Sequence, residues 1–280
     1  MKILRSEDLS PYTTFKISCI ASEVFFPKNK DEISQALQKN SFQLTIGWGS
    51  NILLPDEGLS GKVMILRGHP GEIKIGKEKA IAGAGVFLPL LVNKLAEHGL
   101  SGLEFCCGIP GTVGGATVMN AGVGELCISK FIDYVAVIDE KGNEKKLFPQ
   151  DLNFGYRTSL LQKKKWVVVE AAFNLKPDDK KNIQKRIITY KEKRQQAQPL
   201  NPSAGSVFKN PLGQHAAQLI DQAGCKSMRI GEAQVSEKHA GFIINLGEAK
   251  SQDVKDLIKL VQEKVQDKFS ILLEPEIIII

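Results

Sequence analysis

Apolar positions three and four residues apart mark the helices of this chain, and short apolar runs cut by glycine and proline mark its strands. Ile33 and Leu37 lie one turn apart in the polar stretch 31–39, between apolar runs at 24–27 and 42–47, which predicts a β-α-β unit. Short β-like segments follow at 63–67, 73–75 and 80–82. Leu88, Leu91, Val92 and Leu95 repeat at i, i+3, i+4 and i+7, and Gly99 stands where a glycine cap belongs, so a helix of about three turns is expected. Val135, Val137 and Ile138 before Asp139-Glu140-Lys141-Gly142-Asn143 predict a hairpin over 134–148, and 167–175 reads as a further strand. Leu219, Ile220 and Ala223 with Gly224 predict a second capped helix. Val254, Leu257, Ile258, Val261 and Val265 predict a third, with Ser251 as N-cap, and the closing 277–280 reads as a buried strand. Strands that follow one another before helices arrive indicate an α+β fold rather than a doubly wound sheet. The turn-rich 198–203 is the candidate domain boundary.

Composition narrows the class without changing this picture. The chain has 280 residues, 42% hydrophobic and 24% charged, enough for a globular protein with a substantial core. No apolar run approaches the roughly 20 residues of a membrane span, and 1–11 carries Lys2, Arg5, Glu7 and Asp8 in place of a secretory apolar region, so a cytoplasmic protein without membrane insertion is expected. Cys19, Cys106, Cys107, Cys127 and Cys225 are odd in number and lack C-x-x-C spacing, which argues against disulfides and against a metal site. The net charge is +6, and 180–194 gathers Lys180, Lys181, Lys185, Arg186, Lys191, Lys193 and Arg194 against Glu192 alone. That run reads as a solvated helix face. Nucleic-acid binding is not expected from it, because Tyr190 is its one aromatic.

Two glycine-rich stretches carry the candidate chemistry: Gly47-Trp48-Gly49-Ser50-Asn51 after an apolar strand, and Gly108-Ile109-Pro110-Gly111-Thr112-Val113-Gly114-Gly115. Glycine permits positive φ and close backbone approach, so successive N–H groups can form a concave anion nest. Either stretch alone could be a tight turn packed for shape. Both together, with Asn120-Ala121-Gly122 following, suit one large ligand that carries a pyrophosphate. A dinucleotide fingerprint from Gly83-Ala84-Gly85 fails because position 88 is Leu88. Gly71 to Lys77 has phosphate-loop spacing but is followed by Glu78, where a magnesium-binding hydroxyl is required. The two stretches together shift the reading from tight turns packed for shape toward a dinucleotide held without a Rossmann fold.

Thr13-Thr14-Phe15-Lys16-Ile17, Gly47 to Leu54 with Asp56-Glu57-Gly58, Ile109 to Ala116 with Met119-Asn120-Ala121-Gly122, and Phe154-Gly155-Tyr156-Arg157 form an ordered series of motifs. Pro199 to Pro211, Ala217-Gln218-Leu219-Ile220-Asp221 and Leu273-Glu274-Pro275-Glu276 complete it. In order and spacing, end to end, the chain resembles the UDP-N-acetylenolpyruvoylglucosamine reductase family. The short segment between Tyr156 and Ser203 resembles the shorter subclass, which lacks an extra substrate-gating loop.

The resemblance implies an FAD-binding fold of the vanillyl-alcohol-oxidase-like (PCMH) type in two subdomains, at 1–66 and 67–198, plus an α/β substrate-binding domain at 199–280. It implies NADPH-dependent, FAD-mediated reduction of UDP-N-acetylglucosamine enolpyruvate to UDP-N-acetylmuramate in peptidoglycan synthesis. Neither glycine stretch contains His, so the FAD is expected to be noncovalent. The implied cofactor contacts are Gly47, Gly49, Ser50, Asn51, Ile109, Pro110, Gly111, Thr112, Gly115, Asn120 and Gly122. The implied substrate contacts are Tyr156, Lys209, Asn210, Lys226 and His239. Arg157 and Glu276 are implied to stabilise an enolate, with Glu276 protonated or sharing a proton, and Ser206 to protonate carbon. Another flavin-dependent oxidase or reductase on the same scaffold would keep the glycine stretches but not Ser206, Asn210 and Glu276 in this context. The chain departs from the family at Val123-Gly124-Glu125 and in the four isoleucines that follow Glu276, where an arginine-containing strand is usual.

Overall fold

A computed structural model describes residues 1–280. In chain order the elements are β1 (Lys2–Asp8), β2 (Ile20–Phe26), α1 (Lys30–Lys39), β3 (Phe42–Ile46), β4 (Ile52–Leu53), β5 (Leu59–Ile65), β6 (Ile73–Ile75), β7 (Lys79–Gly83), α2 (Leu88–Glu97), β8 (Leu100–Ser101), α3 (Val113–Val118), β9 (Gly122–Val123), β10 (Leu126–Cys127), β11 (Ile132–Ile138) and β12 (Glu144–Leu147). They continue as β13 (Val167–Asn174), β14 (Lys176–Pro177), α4 (Lys180–Ala197), β15 (Ser203–Ser206), α5 (Ala216–Gln222), β16 (Arg229–Ile230), β17 (Ala233–Val235), β18 (Phe242–Asn245), α6 (Ser251–Phe269) and β19 (Ile278–Ile279). The chain divides into two compact units that alternate along the sequence. The first takes Met1–Arg5, Glu23–Trp48 and Gly61–Arg194; the second takes Ser6–Ser22, Gly49–Ser60 and Gln195–Ile280.

The first unit is organised by β13, whose sequence VVVEAAFN is apolar on both faces and buried on both. It runs inside a sheet of order β12-β11-β13-β7-β6, antiparallel throughout. One face packs Ala171, Phe173 and Val135 against Leu88, Leu91, Val92 and Leu95 of α2, the stripe expected from their spacing. The other face packs Val167, Val169, Ala136 and Ile138 against Ile33, Ala36 and Leu37 of α1. Burial on both sides is why the strand shows no period-two alternation. The β-α-β unit forms, but β5 lies between β2 and β3 in the sheet order, an insertion that local pattern could not show. In the hairpin turn, the Asp139 carboxylate accepts N–H groups from Asn143 at 2.9 Å and Lys141 at 3.0 Å. Those bonds and Lys145 hold its pKa down to about 2. Gly99 follows α2 with φ +69, as a C-terminal glycine should.

Within the basic run, α4 buries Ile183 and Ile187, and Arg186 pairs with Glu104 and Asp178. Lys181, Lys185, Lys191 and Lys193 are exposed.

The second unit packs α5 and α6 on a sheet of order β15-β18-β17-β16. Val254, Leu257, Ile258, Val261 and Val265 of α6 meet Val235 and Ile243 of the sheet, with Phe15 and Ile17 added from the N-terminal strap. Ser251 is not the N-cap of α6: Lys250 holds that position, and Ser251 is its buried first residue. The cap comes from far away in sequence, as the Asp56 carboxylate accepts the N–H groups of Ser251 at 2.7 Å and Gln252 at 2.9 Å. The isoleucine tail is not a buried strand either. Ile277 is 4% exposed, whereas Ile278, Ile279 and Ile280 are 40%, 39% and 36% exposed, because β19 only adds a short parallel strand to β4. Mixed sheets and helices of this kind make the fold α+β, as expected. No helix is long and apolar enough to cross a membrane.

Candidate active site

In the first unit the second glycine stretch is knitted into its surroundings. The N–H groups of Val113 and Gly114 donate to Val86 and Ala84, both at 2.9 Å, and those of Ile109 and Gly111 donate to Cys106 and Ile109. Thr112 caps α3, its hydroxyl accepting from the Gly115 N–H at 3.2 Å. A side chain at Gly47 would collide with that hydroxyl, and one at Gly108 would lie 2.6 Å from Cδ of Arg194. Most of these glycines therefore serve close packing, since their amides already have partners inside the protein.

Beyond α3 the chain turns at Asn120, whose backbone has φ 44, and meets a second turn at 153–158. Gly155 and Thr158 exchange N–H to carbonyl bonds of 3.0 and 3.3 Å across that turn. Arg157, half-buried, sits in it with φ 55. Its Nη2 donates to the Gly122 carbonyl at 2.9 Å, its Cζ lies 5.1 Å from the Tyr156 ring centroid, and its carbonyl accepts from Gln162 Nε2 at 3.0 Å. Tyr156 is 49% exposed. Asn120, Gly122, Tyr156 and Arg157 are thus one cluster. The departure at Val123-Gly124-Glu125 falls on the exposed tip of the β9–β10 hairpin.

The chain passes from the first unit to the second between Trp48 and Gly49. Gly49 has φ +66, and a Cβ there would lie 2.7 Å from Cα of Thr13, so the turn requires glycine. Its carbonyl accepts from the N–H of Thr14 at 3.0 Å and from the Thr14 hydroxyl, which also donates to Ser203 at 2.7 Å. This explains why the Thr-Thr-Phe-Lys-Ile stretch belongs among the motifs: it straps the glycine turn to β15. By contrast with the second stretch, the N–H groups of Gly49, Ser50 and Asn51 donate to no backbone carbonyl.

Ser206 ends β15, and its register is set by a bulge. Ser203 pairs Ile244 and Ser206 pairs Phe242, so three steps on one strand match two on the other, with Gly205 at φ +78 absorbing the extra residue. The following residues pair with the tail: Glu276 N–H donates to Val207 at 2.7 Å, Lys209 N–H donates to Glu274 at 2.8 Å, and Phe208 bridges Pro275. Asn51 Nδ2 donates to the Glu276 carbonyl at 3.2 Å, and the Asn51 carbonyl accepts from Ile278 at 3.0 Å. Ser206, Asn51 and Glu276 are thereby gathered into one half-buried cluster.

The other expected substrate contacts are in the same unit. Lys209 is ion-paired to Glu274, Lys226 to Asp221 at 2.7 Å, and Asn210 Oδ1 accepts the Ala216 N–H at 3.0 Å, at the start of α5. His239 packs edge-on against Phe242, with ring centroids 4.9 Å apart. Its Nδ1 accepts from the Gly241 N–H at 3.2 Å, leaving Nε2 as the donor nitrogen. Burial is the main reason its pKa lies below the ordinary histidine value, and Lys226 lowers it further.

Arg194 departs from the solvated face expected for 180–194: at the end of α4 it is half-buried against Gly108, and burial lowers its pKa.

The backbone N–H groups of Gly49, Ser50 and Asn51 are three consecutive donors in a turn with Gly49 at φ +66, a kind of turn that can line an anion site. Residues 21–147 match the family model described as FAD binding domain, and 196–280 match the one described as UDP-N-acetylenolpyruvoylglucosamine reductase, C-terminal domain. The chain is an FAD-dependent oxidoreductase. It is 39% identical to the UDP-N-acetylenolpyruvoylglucosamine reductase of Bacillus pumilus, over 100% of this chain and 94% of the relative. To that of Caldicellulosiruptor bescii it is 42% identical, over 99% and 90%. The crystal structure of the enzyme from Thermus caldophilus superposes with a TM-score of 0.84 at 34% identity, covering 99% of this chain and 98% of that one. The chain belongs to the UDP-N-acetylenolpyruvoylglucosamine reductase family.

Proposed function

We propose that the chain reduces the enolpyruvyl group of UDP-N-acetylglucosamine enolpyruvate to a lactyl ether, giving UDP-N-acetylmuramate for peptidoglycan synthesis, with NADPH as electron donor. The place of action proposed is the cytoplasm. The observation that carries the reading is the pairing of the chain after Ser206 with the segment of Glu276, Glu276 N–H donating to Val207 at 2.7 Å. It supports an acid and a carboxyl group acting on neighbouring atoms.

Bound FAD supplies the two-electron relay from nicotinamide to substrate. The turn at Gly49, Ser50 and Asn51 would hold its pyrophosphate. Reduction adds a hydride to the methylene carbon and a proton to the carbon beside it, so negative charge passes through that carbon into the substrate carboxylate. Arg157 is a permanent cation with a planar fork that matches a carboxylate, and its role is to hold that charge. Glu276 steadies the same enolate and does so as an acid or while sharing a proton. Ser206 donates the proton to carbon, the adjacent enolate supplying the basicity that a free serine would need from its partner. Asn210 and Lys209 serve the diphosphate of the substrate, and Lys226, His239 and Tyr156 its remaining parts.

The test is a purified preparation examined in two steps. Oxidised-flavin absorbance should bleach with NADPH and return when UDP-N-acetylglucosamine enolpyruvate is added, with UDP-N-acetylmuramate identified by mass. A colourless protein that takes up no FAD, or a reduced flavin that this substrate leaves reduced, sinks the proposal.

A further inference from the structure

Asn120 belongs by motif to the cofactor stretches, yet its side chain is engaged inside the first unit. It is 4% exposed; its Nδ2 donates to the Gly155 carbonyl at 2.8 Å and its Oδ1 accepts the Ser129 N–H at 3.2 Å. Gly155 opens the turn that carries Arg157, and Arg157 has a left-handed backbone that a long side chain avoids by about 1–2 kcal/mol. Such a conformation persists only when its surroundings hold it. Three bonds do so here, from Asn120 to Gly155, from Gln162 to the Arg157 carbonyl at 3.0 Å, and from the guanidinium to Gly122 at 2.9 Å. Two of the three tie the turn to residues 120–122. Arg157 is therefore aimed by the segment that follows α3.

We infer that Asn120 is a positioning residue for Arg157: its amide holds the 153–158 turn so that the guanidinium meets the substrate carboxylate in one orientation. This rests on the role of Arg157 proposed above and adds to it the group that makes the arginine effective.

Two substitutions isolate the amide. Asn120→Gly removes both side-chain bonds while glycine still adopts positive φ without strain. Asn120→Asp keeps an acceptor for Ser129 but cannot donate to Gly155 when ionised. In both, FAD content and the rate of flavin reduction by NADPH are measured beside reoxidation, and reoxidation by the enolpyruvyl substrate should slow by roughly 10–100-fold more than reduction does, with a raised KM, as small misplacements of a catalytic group do. Hydrogen exchange on the FAD-free protein should show faster exchange at the Thr158 amide, which donates to Gly155. Should Asn120→Asp fail to fold, Asn120→Gly carries the test. FAD loss in step with lost reoxidation, equal slowing of both half-reactions, or unchanged Thr158 exchange each overturns the inference. If the parent enzyme itself is reduced by NADPH but not reoxidised by this substrate, the proposed function fails, and the exchange result still decides whether Asn120 holds the turn.

Discussion

The turn that carries Arg157 and the tail that carries Glu276 are held by different means. Around Arg157 the backbone is left-handed at Asn153 and at Arg157 itself, and side-chain amides 5 and 35 residues away in sequence keep it there. Around Glu276 the backbone is extended, and main-chain bonds to Val207 and from Ile278 to Asn51 hold it as a strand would be held. Side-chain bonds reinforce the tail, among them one from Asn51 across 225 residues of sequence and the pairing of Lys209 with Glu274. A strained turn fixes the direction of one long side chain and concentrates that task in a few amides. A main-chain ladder fixes a segment and spreads the task over many groups, so it tolerates changes in the side chains beyond Glu276.

The largest test of the division is Ser206→Ala. Flavin reduction by NADPH should persist while reoxidation by substrate falls by roughly 10²–10⁴-fold, the range for loss of a general acid, in stopped-flow half-reactions. Equal slowing of both steps would sink the assignment. Next, Arg157→Lys keeps the charge but loses the fork, and reoxidation should fall by about 10²–10³-fold. A near-parental rate would mean that charge alone is needed and that the strained turn has no catalytic purpose.

The tail should be sensitive at one position only. Ile277→Ala should destabilise the protein by about 2–3 kcal/mol in denaturant titration, since a buried side chain is lost. Ile279→Ala, at a 39% exposed site, should stay within about 0.5 kcal/mol. Similar losses at both would contradict the ladder description. Gly205→Ala places a side chain at φ +78, where the strain is about 1 kcal/mol, and should slow reoxidation through Ser206 while leaving flavin reduction alone.

The smallest effect concerns acid. Burial holds the His239 pKa below its unfolded value, so the unfolded chain binds a proton at a higher pH than the folded one. Stability is therefore unaffected above about pH 6.5, falls as the pH drops below it, and levels once the folded pKa is passed. In His239→Gln the loss of Tm between pH 7.5 and pH 5 should be smaller. A loss of equal size would assign the acid sensitivity to other groups.

Much of this was legible in the chain itself. The stripe Leu88, Leu91, Val92, Leu95 could bury only one face of a helix, and the Asp139 carboxylate bonds amides two and four residues on, so α2 and the hairpin follow from neighbours in sequence. Local chemistry also singled out the two glycine stretches. It could not distinguish them, because whether an N–H has a partner depends on what packs against it. The second stretch is bonded to Ala84 and Val86, while the turn at Gly49 keeps N–H groups that no backbone carbonyl accepts.

Capping, too, divided along this line. Ser251 has the right chemistry for an N-cap, but Lys250 holds that position and Asp56, 195 residues earlier, takes the first-turn amides of Ser251 and Gln252. The bulge at Gly205 and the amide of Asn120 are of the same kind, since a glycine and an asparagine are common residues until their partners are known. The sequence by itself therefore determined α1, α2, α5 and α6, the hairpin, the two glycine stretches as candidates and, through its motifs, the family. Only the tertiary structure decided which amides are already bonded and which residues aim Arg157, Ser206 and Glu276, because those are properties of pairs brought together by folding.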